Sequence, residues 1–484
     1  MYFPHRIYGI ENEFGVVVQY PDGTLTNLFC LYPDSGTHRF LDLKEIENSV
    51  LCFQPNSDLY RVWHSNGGCT YVDTGEHPEH ATPECLSVHD AVRYNKAGEL
   101  LASRMFDRKK PDDIRFLLFK NNIGCDMLGE ETNISGNFGC HENYFIPGAF
   151  KNGPEQFERF KQLIPFLATR QIFDGSGWWD KDGHFDLSQR ASSIYQEFSF
   201  SATSNRPFIQ IKHGDSGSDL RLHIVAGDAN ICEFALYLKL GTTALVLALL
   251  ESGNCPDIMC TNPVEALQAI SHHGDAQLRS LQMQNGSAMS ACEVQELFFE
   301  AIRAQLPDAQ YADEHVEQEV KQIVRYWEQT LHAISNRDVK WMRGRIDHVT
   351  KRYLAQQQIA RARPTSPSET LLLQKNIDIL YHGVSNRTLQ QRMNAHWPDC
   401  RIVTDDEIAD ACINPPANTR ARMRGKFVQA LIAHHISPTK FISWSCCTLA
   451  DQPKDRHFYF PSVFHSDVAG FEAFLSSIMP MHKS

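Results

Sequence analysis

The chain is 484 residues long, and its 46 lysines and arginines stand against 58 aspartates and glutamates, a formal net charge of −12. Its 42% hydrophobic and 21% charged residues are ordinary globular proportions, which excludes a disordered or fibrous chain and predicts two or more domains, or one large domain with an appendage. The acid excess argues against a dedicated nucleic-acid binder, because phosphate backbones attract positive surfaces.

The opening MYFPHRIYGIENEFG lacks the charged, apolar and cleavage regions of a signal peptide. Residues 8–20, YGIENEFGVVVQY, read as a strand with acids where a core strand would not take them. CTYVD at 69–73 reads as a second strand, followed by TGEHPEHATPE, a loop that Pro78 and Pro83 are expected to keep irregular. IRFLLFK at 114–120 is a third strand, and residues 155–169 a helix with a break at Pro165. RPFIQI at 206–211 and RLHIVA at 221–226 are strands flanking the loop KHGDSGSD. Residues 228–251 have the apolar density of a buried helix; the run LGTTALVLALL is about half the roughly 20 residues that a bilayer span takes.

From about residue 263 the chain reads as helices with mixed charged faces at 290–305 and 314–334, then a basic helical segment at 336–361. PTSPSE at 364–369 reads as a loop, Asn414–Pro416 as a break, and the remainder as a helix at 424–435, a strand at 439–449 and a helix at 467–478. The pattern predicts an α+β fold with helices packed on one side of an acid-studded sheet, and strand–helix alternation is too weak for a doubly wound nucleotide fold. The 14 cysteines are scattered without a C-x-x-C pair, which with no secretion signal reads as reduced thiols in a cytoplasmic protein and no membrane association.

Glu11 and Glu13, two residues apart on a strand, share one face and repel each other unless a cation compensates them. Tyr71 and Asp73 repeat that arrangement, with Glu76, His77, Glu79 and Glu84 close behind. Acids converging from several strands make a hard, oxygen-rich site suited to Mg2+ carrying phosphates. His223 lies mid-strand with Arg221 on its face, and Asp73, at a strand end, is the expected general base. Neither a G-x-x-x-x-G-K-[ST] loop nor a G-x-G-x-x-G fingerprint occurs, and GDSGS at 214–218 is too short a protease-like string to carry weight. The residues by themselves describe a Mg-nucleotide enzyme and leave ATP-grasp-like, glutamine-synthetase-like and phosphatase-like readings open.

The motifs GIENEFG at 9–15, NGGCTYVDTGEHPEHATPE at 66–84, GCHENYF at 139–145, RLHIVAGDANICE at 221–233, NPPANTRARMRGKF at 414–427 and LADQP at 449–453 occur in this order. Together they resemble the Pup ligase and depupylase family, a branch of the glutamine synthetase-like carboxylate–amine ligases. The resemblance implies a curved antiparallel sheet packed with helices over residues 1–410, and a small C-terminal domain over 411–484. It implies Mg2+ ligands at Glu11, Tyr71, Glu79 and His223, a catalytic Asp73, and ATP contacts at Thr82, Trp444 and position 69. There the family's arginine is replaced by Cys69, which has neither charge nor a fork of donors, and Arg61 is the nearby candidate substitute. The implied activity uses ATP to join the C-terminal glutamate of Pup, a small ubiquitin-like modifier, to a lysine of a protein substrate. Depupylation is the alternative, as is ligation of another peptide. The 62-residue separation of Glu11 from Asp73 is short for the long insertion that marks depupylases, and DTGEHPE resembles the ligase form.

Overall fold

A computed structural model describes residues 1–23, 25–27, 61–73, 77–107, 115–123, 138–146, 154–199, 206–213, 220–279, 281–385, 387–434, 442–449 and 455–478. Glu76, the GDSGS string and most of LADQP lie outside the described residues. The expected strand at 8–20 is two strands, β1 (Tyr8–Glu13) and β2 (Gly15–Gln19). They part at Phe14, whose N–H donates to the Pro78 carbonyl at 2.8 Å and whose ring is buried with Val16 and Phe116. β2 pairs with β3 (Leu25–Asn27) and with a later strand, Arg115–Phe119, in a small sheet. β1 enters the main sheet.

The other main-sheet strands are β4 (Arg61–Trp63), β5 (Cys69–Val72), β6 (Pro78–Ala81), then, after β7 (Arg115–Phe119) of the small sheet, β8 (Cys140–Ile146), β9 (Gln196–Ser199), β10 (Pro207–His213) and β11 (Leu220–Ile224). Their order is β9-β10-β11-β8-β1-β6-β5-β4. Strand β6 occupies what the two prolines suggest is loop. Pro78 is its first residue, where the missing N–H costs no ladder bond, and all four of its residues are buried. The curved, wholly antiparallel sheet implied by the resemblance is not what forms. The sheet is open, β9 pairs parallel with β10, and β4 and β9 remain edges. Helices lie along one face and, among the described residues, no strand joins β4 to β9, so the sheet is open.

The helix-covered face carries Tyr8, Ile10, Tyr144, Leu222 and Ile224, buried in one core with the helices. Helix α1 (Val88–Asp107) lies against it, and Asn95 of α1 accepts a hydrogen bond from Asn12 of β1. Helix α2 (Glu233–Ser252) is buried on every side as far as Leu250. It is long and apolar enough to cross a membrane, and 94% of that window is buried inside the protein. Helix α3 (Glu314–Ser335) packs along it, and α4 (Asp347–Ala362) follows.

Where PTSPSE suggests a loop, a 15-residue helix begins, α5 (Pro367–Tyr381). Ser366 caps it by accepting the Glu369 N–H at 3.2 Å, and Pro367 takes the first turn, where no N–H is needed. Helix α6 (Ala421–Ala433) packs with the strand pair Cys446–Leu449 and Arg456–Tyr459 and the helix Phe471–Ser476, around Phe427, Cys447, Leu449 and Phe471.

Candidate active site

Cross-strand register puts the acids on the face turned away from the helices. Arg61, Tyr71, Glu79 and Glu13 form one row across β4, β5, β6 and β1; Trp63, Cys69, Ala81, Glu11 and His141 form the next; Gly9, Asn143, His223 and Gln210 the third. Side chains directly opposite in such rows point to one side. Glu11, Tyr71, Glu79, Cys69 and His223 therefore share one surface, and Asp73 follows the end of β5. Asp73 N–H donates to the His77 carbonyl at 3.1 Å, closing the connection from β5 to β6.

Two clusters stand on this face, each with candidate ligand atoms within 4.8 Å of one another: Glu11 with His141 and His223, and Glu13 with Asp73 and His77. In the first, Glu11 lies 3.5 Å from His141 Nδ1, 3.8 Å from His223 Nδ1 and 3.4 Å from the Arg221 guanidinium. Burial pushes the Glu11 carboxyl up, but His223, His141, Arg221 and Lys212 outweigh it and hold it well below the usual range. Burial pushes the His223 imidazole well below its ordinary value, against the pull of Glu11. Its Nδ1 bonds Asn143 Oδ1 at 2.8 Å, and its buried Nε2 has no hydrogen-bond partner among the described residues. In the second cluster Glu13 pairs with His77 Nε2 at 2.9 Å and accepts the Gly139 N–H; against burial, these contacts lower its carboxyl to about 2.

Glu79 sits between the clusters. Its carboxyl is pushed well above the ordinary value by burial and by the charges of Glu11, Glu13 and Asp73, while Tyr71 donates its hydroxyl to it at 2.6 Å. Burial and the carboxylates of Glu79 and Glu11 push the Tyr71 phenol up, so it stays a neutral donor. Four carboxylates crowded against one another on a largely buried face are the arrangement a hard cation relieves.

Beside the acids is an aromatic recess. Trp63 and Trp444 meet edge-to-face with ring centroids 4.8 Å apart, and the buried Arg424 guanidinium lies 5.2 and 4.7 Å from their centres. Cys69 is buried in the same cluster, its thiol pushed up to about 12 by burial. Arg61, opposite Tyr71 in register, places its guanidinium 5.6 Å from the Tyr71 ring centre. Thr82 is used differently: its hydroxyl accepts the Ile10 N–H at 3.0 Å, tying the end of β6 to β1. Glu13 and His77 stand among the acids and histidines singled out by residue type, but the ligand set implied by the resemblance omits them and His141, and nothing in the sequence places Trp63 and Arg424 beside Trp444. Alternation along β1 exposes Glu13, whereas the others become neighbours only through strand pairing.

A profile of the Pup-ligase protein family matches residues 6–448. Among curated relatives, the Pup–protein ligase of Acidimicrobium ferrooxidans is 34% identical, the match covering 98% of this chain and 99% of the relative. That of Mycobacterium ulcerans is 33% identical over 92% of this chain and 94% of the relative. The solved complex of the prokaryotic ubiquitin-like protein Pup with its ligase PafA superposes with a TM-score of 0.77 at 24% identity, over 98% of this chain and 92% of that one. PafA in complex with ADP superposes with a TM-score of 0.73, over 91% and 95%. The family profile over residues 6–448 and the curated relatives, more than 30% identical across nearly the whole chain, establish that this chain belongs to the Pup-ligase family.

Proposed function

We propose that the protein is a Pup–protein ligase that uses ATP and Mg2+ to form an isopeptide bond between the C-terminal glutamate of Pup and a lysine of a protein substrate. The observation that carries this reading is the continuous face on which the carboxylates of Glu11, Glu13, Glu79 and Asp73 adjoin the Trp63–Trp444 recess. The donor set fits a hard divalent cation: the carboxylates are crowded enough to raise Glu79, and the buried, unpartnered Nε2 of His223 is one more lone pair. Glu11, Glu79 and His223 would hold Mg2+, with Tyr71 orienting Glu79. Bound there, Mg2+ would offset the charge of the phosphoryl group in transfer.

The recess would take the adenine against Trp444, with Arg61 supplying the cation that Cys69 cannot. Thr82 would act from beneath, by fixing the spacing of β1 and β6. The γ-carboxylate of the modifier's glutamate takes the γ-phosphoryl group of ATP, releasing ADP, and the lysine amine then attacks the acyl carbon and displaces inorganic phosphate. That amine attacks only when neutral, and Asp73 accepts the proton from the ammonium. The Glu13–His77 pair fixes the return of the β5–β6 connection and so the position of Asp73. Residues 411–484 act as a small C-terminal domain that supplies Trp444 and Arg424 to the face built by residues 1–410.

The test mixes the full chain, ATP, Mg2+ and Pup ending in glutamate with a lysine-bearing acceptor. A 1:1 adduct formed with ATP hydrolysis is expected. Release of Pup from a preformed conjugate without net nucleotide consumption, and no adduct, would overturn the ligase reading in favour of depupylation.

A further inference from the structure

On the helix side of the sheet lies a small, partly open cleft. Its walls come from α1, the start of α2 and the segment 387–401, and its charged lining is Lys96, Arg387, Arg401 and Glu233. Two amides, Gln390 and Asn394, complete the polar wall.

The charges do not cancel. Lys96 is buried and shares Glu99 with the equally buried Lys120, at 3.2 and 2.6 Å, so this triad carries an excess positive charge. Arg387 bonds Gln390 through Nε at 3.3 Å, and its terminal nitrogens have no acceptor among the described residues. Arg401 reaches Glu233 at 3.4 Å and the exposed Asp405 at 2.9 Å, yet its own Nε is buried without a partner. Glu233 is already engaged, accepting the N–H groups of Ile402 and Val403 at 2.8 and 3.1 Å. With Lys120 behind the wall, four cations therefore meet three carboxylates, Glu99, Glu233 and the exposed Asp405, and guanidinium donors of Arg387 line the cleft. Such donors, planar and permanently charged, match the oxygens of phosphate groups.

We propose that this cleft is a second anion site, separate from the nucleotide face, which binds a small phosphate-bearing ligand through Arg387, Arg401 and Lys96. The bound group would take the open donors of Arg387 and Arg401 and balance the excess charge of the Lys96–Glu99–Lys120 triad. The ligand could be free inorganic phosphate or a small phosphate monoester, and both present the same oxygens.

The test is isothermal titration of the full chain, saturated with ADP and Mg2+ so that the nucleotide face is filled, with inorganic phosphate in one arm and ribose 5-phosphate in the other. Saturable binding near one equivalent in at least one arm is expected, the tighter arm identifying the ligand. Arg387→Gln, at a half-buried position, should weaken it at least tenfold with ADP affinity and thermal midpoint unchanged; Arg401→Gln should act in the same direction. Absence of saturable binding in both arms would overturn the proposal, as would equal affinity in the Arg387→Gln protein.

Discussion

At the scale of single residues, the site is decided by which groups keep a charge. Asp73 follows the last residue of β5, half-buried, within reach of Glu13 and His77. Replacing its carboxylate by an amide keeps the shape and removes the proton acceptor. Asp73→Asn should lower adduct formation by at least about a hundredfold, the ordinary worth of a general base, while ADP affinity measured by titration changes little. Retained turnover would show that another group takes the proton. Tyr71 makes a different contribution. Its hydroxyl gives Glu79 one of the few donors that offset the neighbouring carboxylates. A hydrogen bond of this kind is worth about 1 kcal/mol, so Tyr71→Phe should weaken Mn2+ binding, followed by electron paramagnetic resonance, by about fivefold. An unchanged affinity would remove Tyr71 from the cation site. Glu11, Asp73, Glu79 and His223 stand out in the sequence as acids and a histidine, Tyr71 is named as a ligand through the family likeness, and strand pairing brings all five to one face. The pairing of Glu13 with His77 is not legible in the sequence, because it depends on β6 being a strand, and Pro78 hides that.

At the scale of elements, the ladder that carries Glu79 is positioned from behind. His80 alternates with Glu79 on β6 and points to the helix side, where its Nδ1 bonds Thr70 Oγ1 at 2.9 Å. The His80 ring lies directly against Gly98 of α1, so that a methyl group at Gly98 would overlap it. A glycine in mid-helix costs roughly 0.5–1 kcal/mol relative to alanine, and here it allows α1 to close on β6. Gly98→Ala should therefore destabilise the protein despite its better helix propensity, and should lower adduct formation at least tenfold by displacing β6. The pair Gly98→Ala with His80→Ala should recover part of the activity. If the single variant is as active as the parent, α1 does not set the position of Glu79. The same kind of contact explains what composition concealed. Continuous apolar density revealed α2, mixed charged faces α3, and short apolar runs β10 and β11. The turn residues of PTSPSE instead cap α5, and the run 8–20 is divided because Phe14 is drawn into a second core. Proline and serine mark a helix start as readily as a loop, and only the cap geometry separates the two.

At the scale of the whole molecule, the C-terminal segment is locked to the sheet by a buried charge cluster. Glu84 receives Arg420 Nε at 2.8 Å and both terminal nitrogens of Arg424, which also donates to the Gly67 carbonyl at 2.8 Å and the Trp444 carbonyl at 2.9 Å. Burial alone would raise the Glu84 carboxyl, but the two guanidinium groups bring it down from 4.5 to about 2. The sign follows from the direction. A carboxyl that is more acidic folded than unfolded stabilises the fold above its unfolded value, and that stabilisation is lost as the pH falls from 4.5 towards 2. The shift corresponds to about 3 kcal/mol, so the thermal midpoint should decline across this window more steeply than in a Glu84→Gln protein. The substitution leaves Arg420 and Arg424 buried without their counter-charge, a loss of about 3–5 kcal/mol at neutral pH. Because Arg424 lies against both Trp63 and Trp444, the substitution should also raise the Michaelis constant for ATP more than it lowers turnover. Calorimetry of both proteins from pH 7 to pH 2, with ATP kinetics at pH 7, checks all three expectations. Parallel acid limbs would show that the cluster is not what joins the C-terminal segment to the sheet, and an unchanged Michaelis constant would separate that joint from the nucleotide recess.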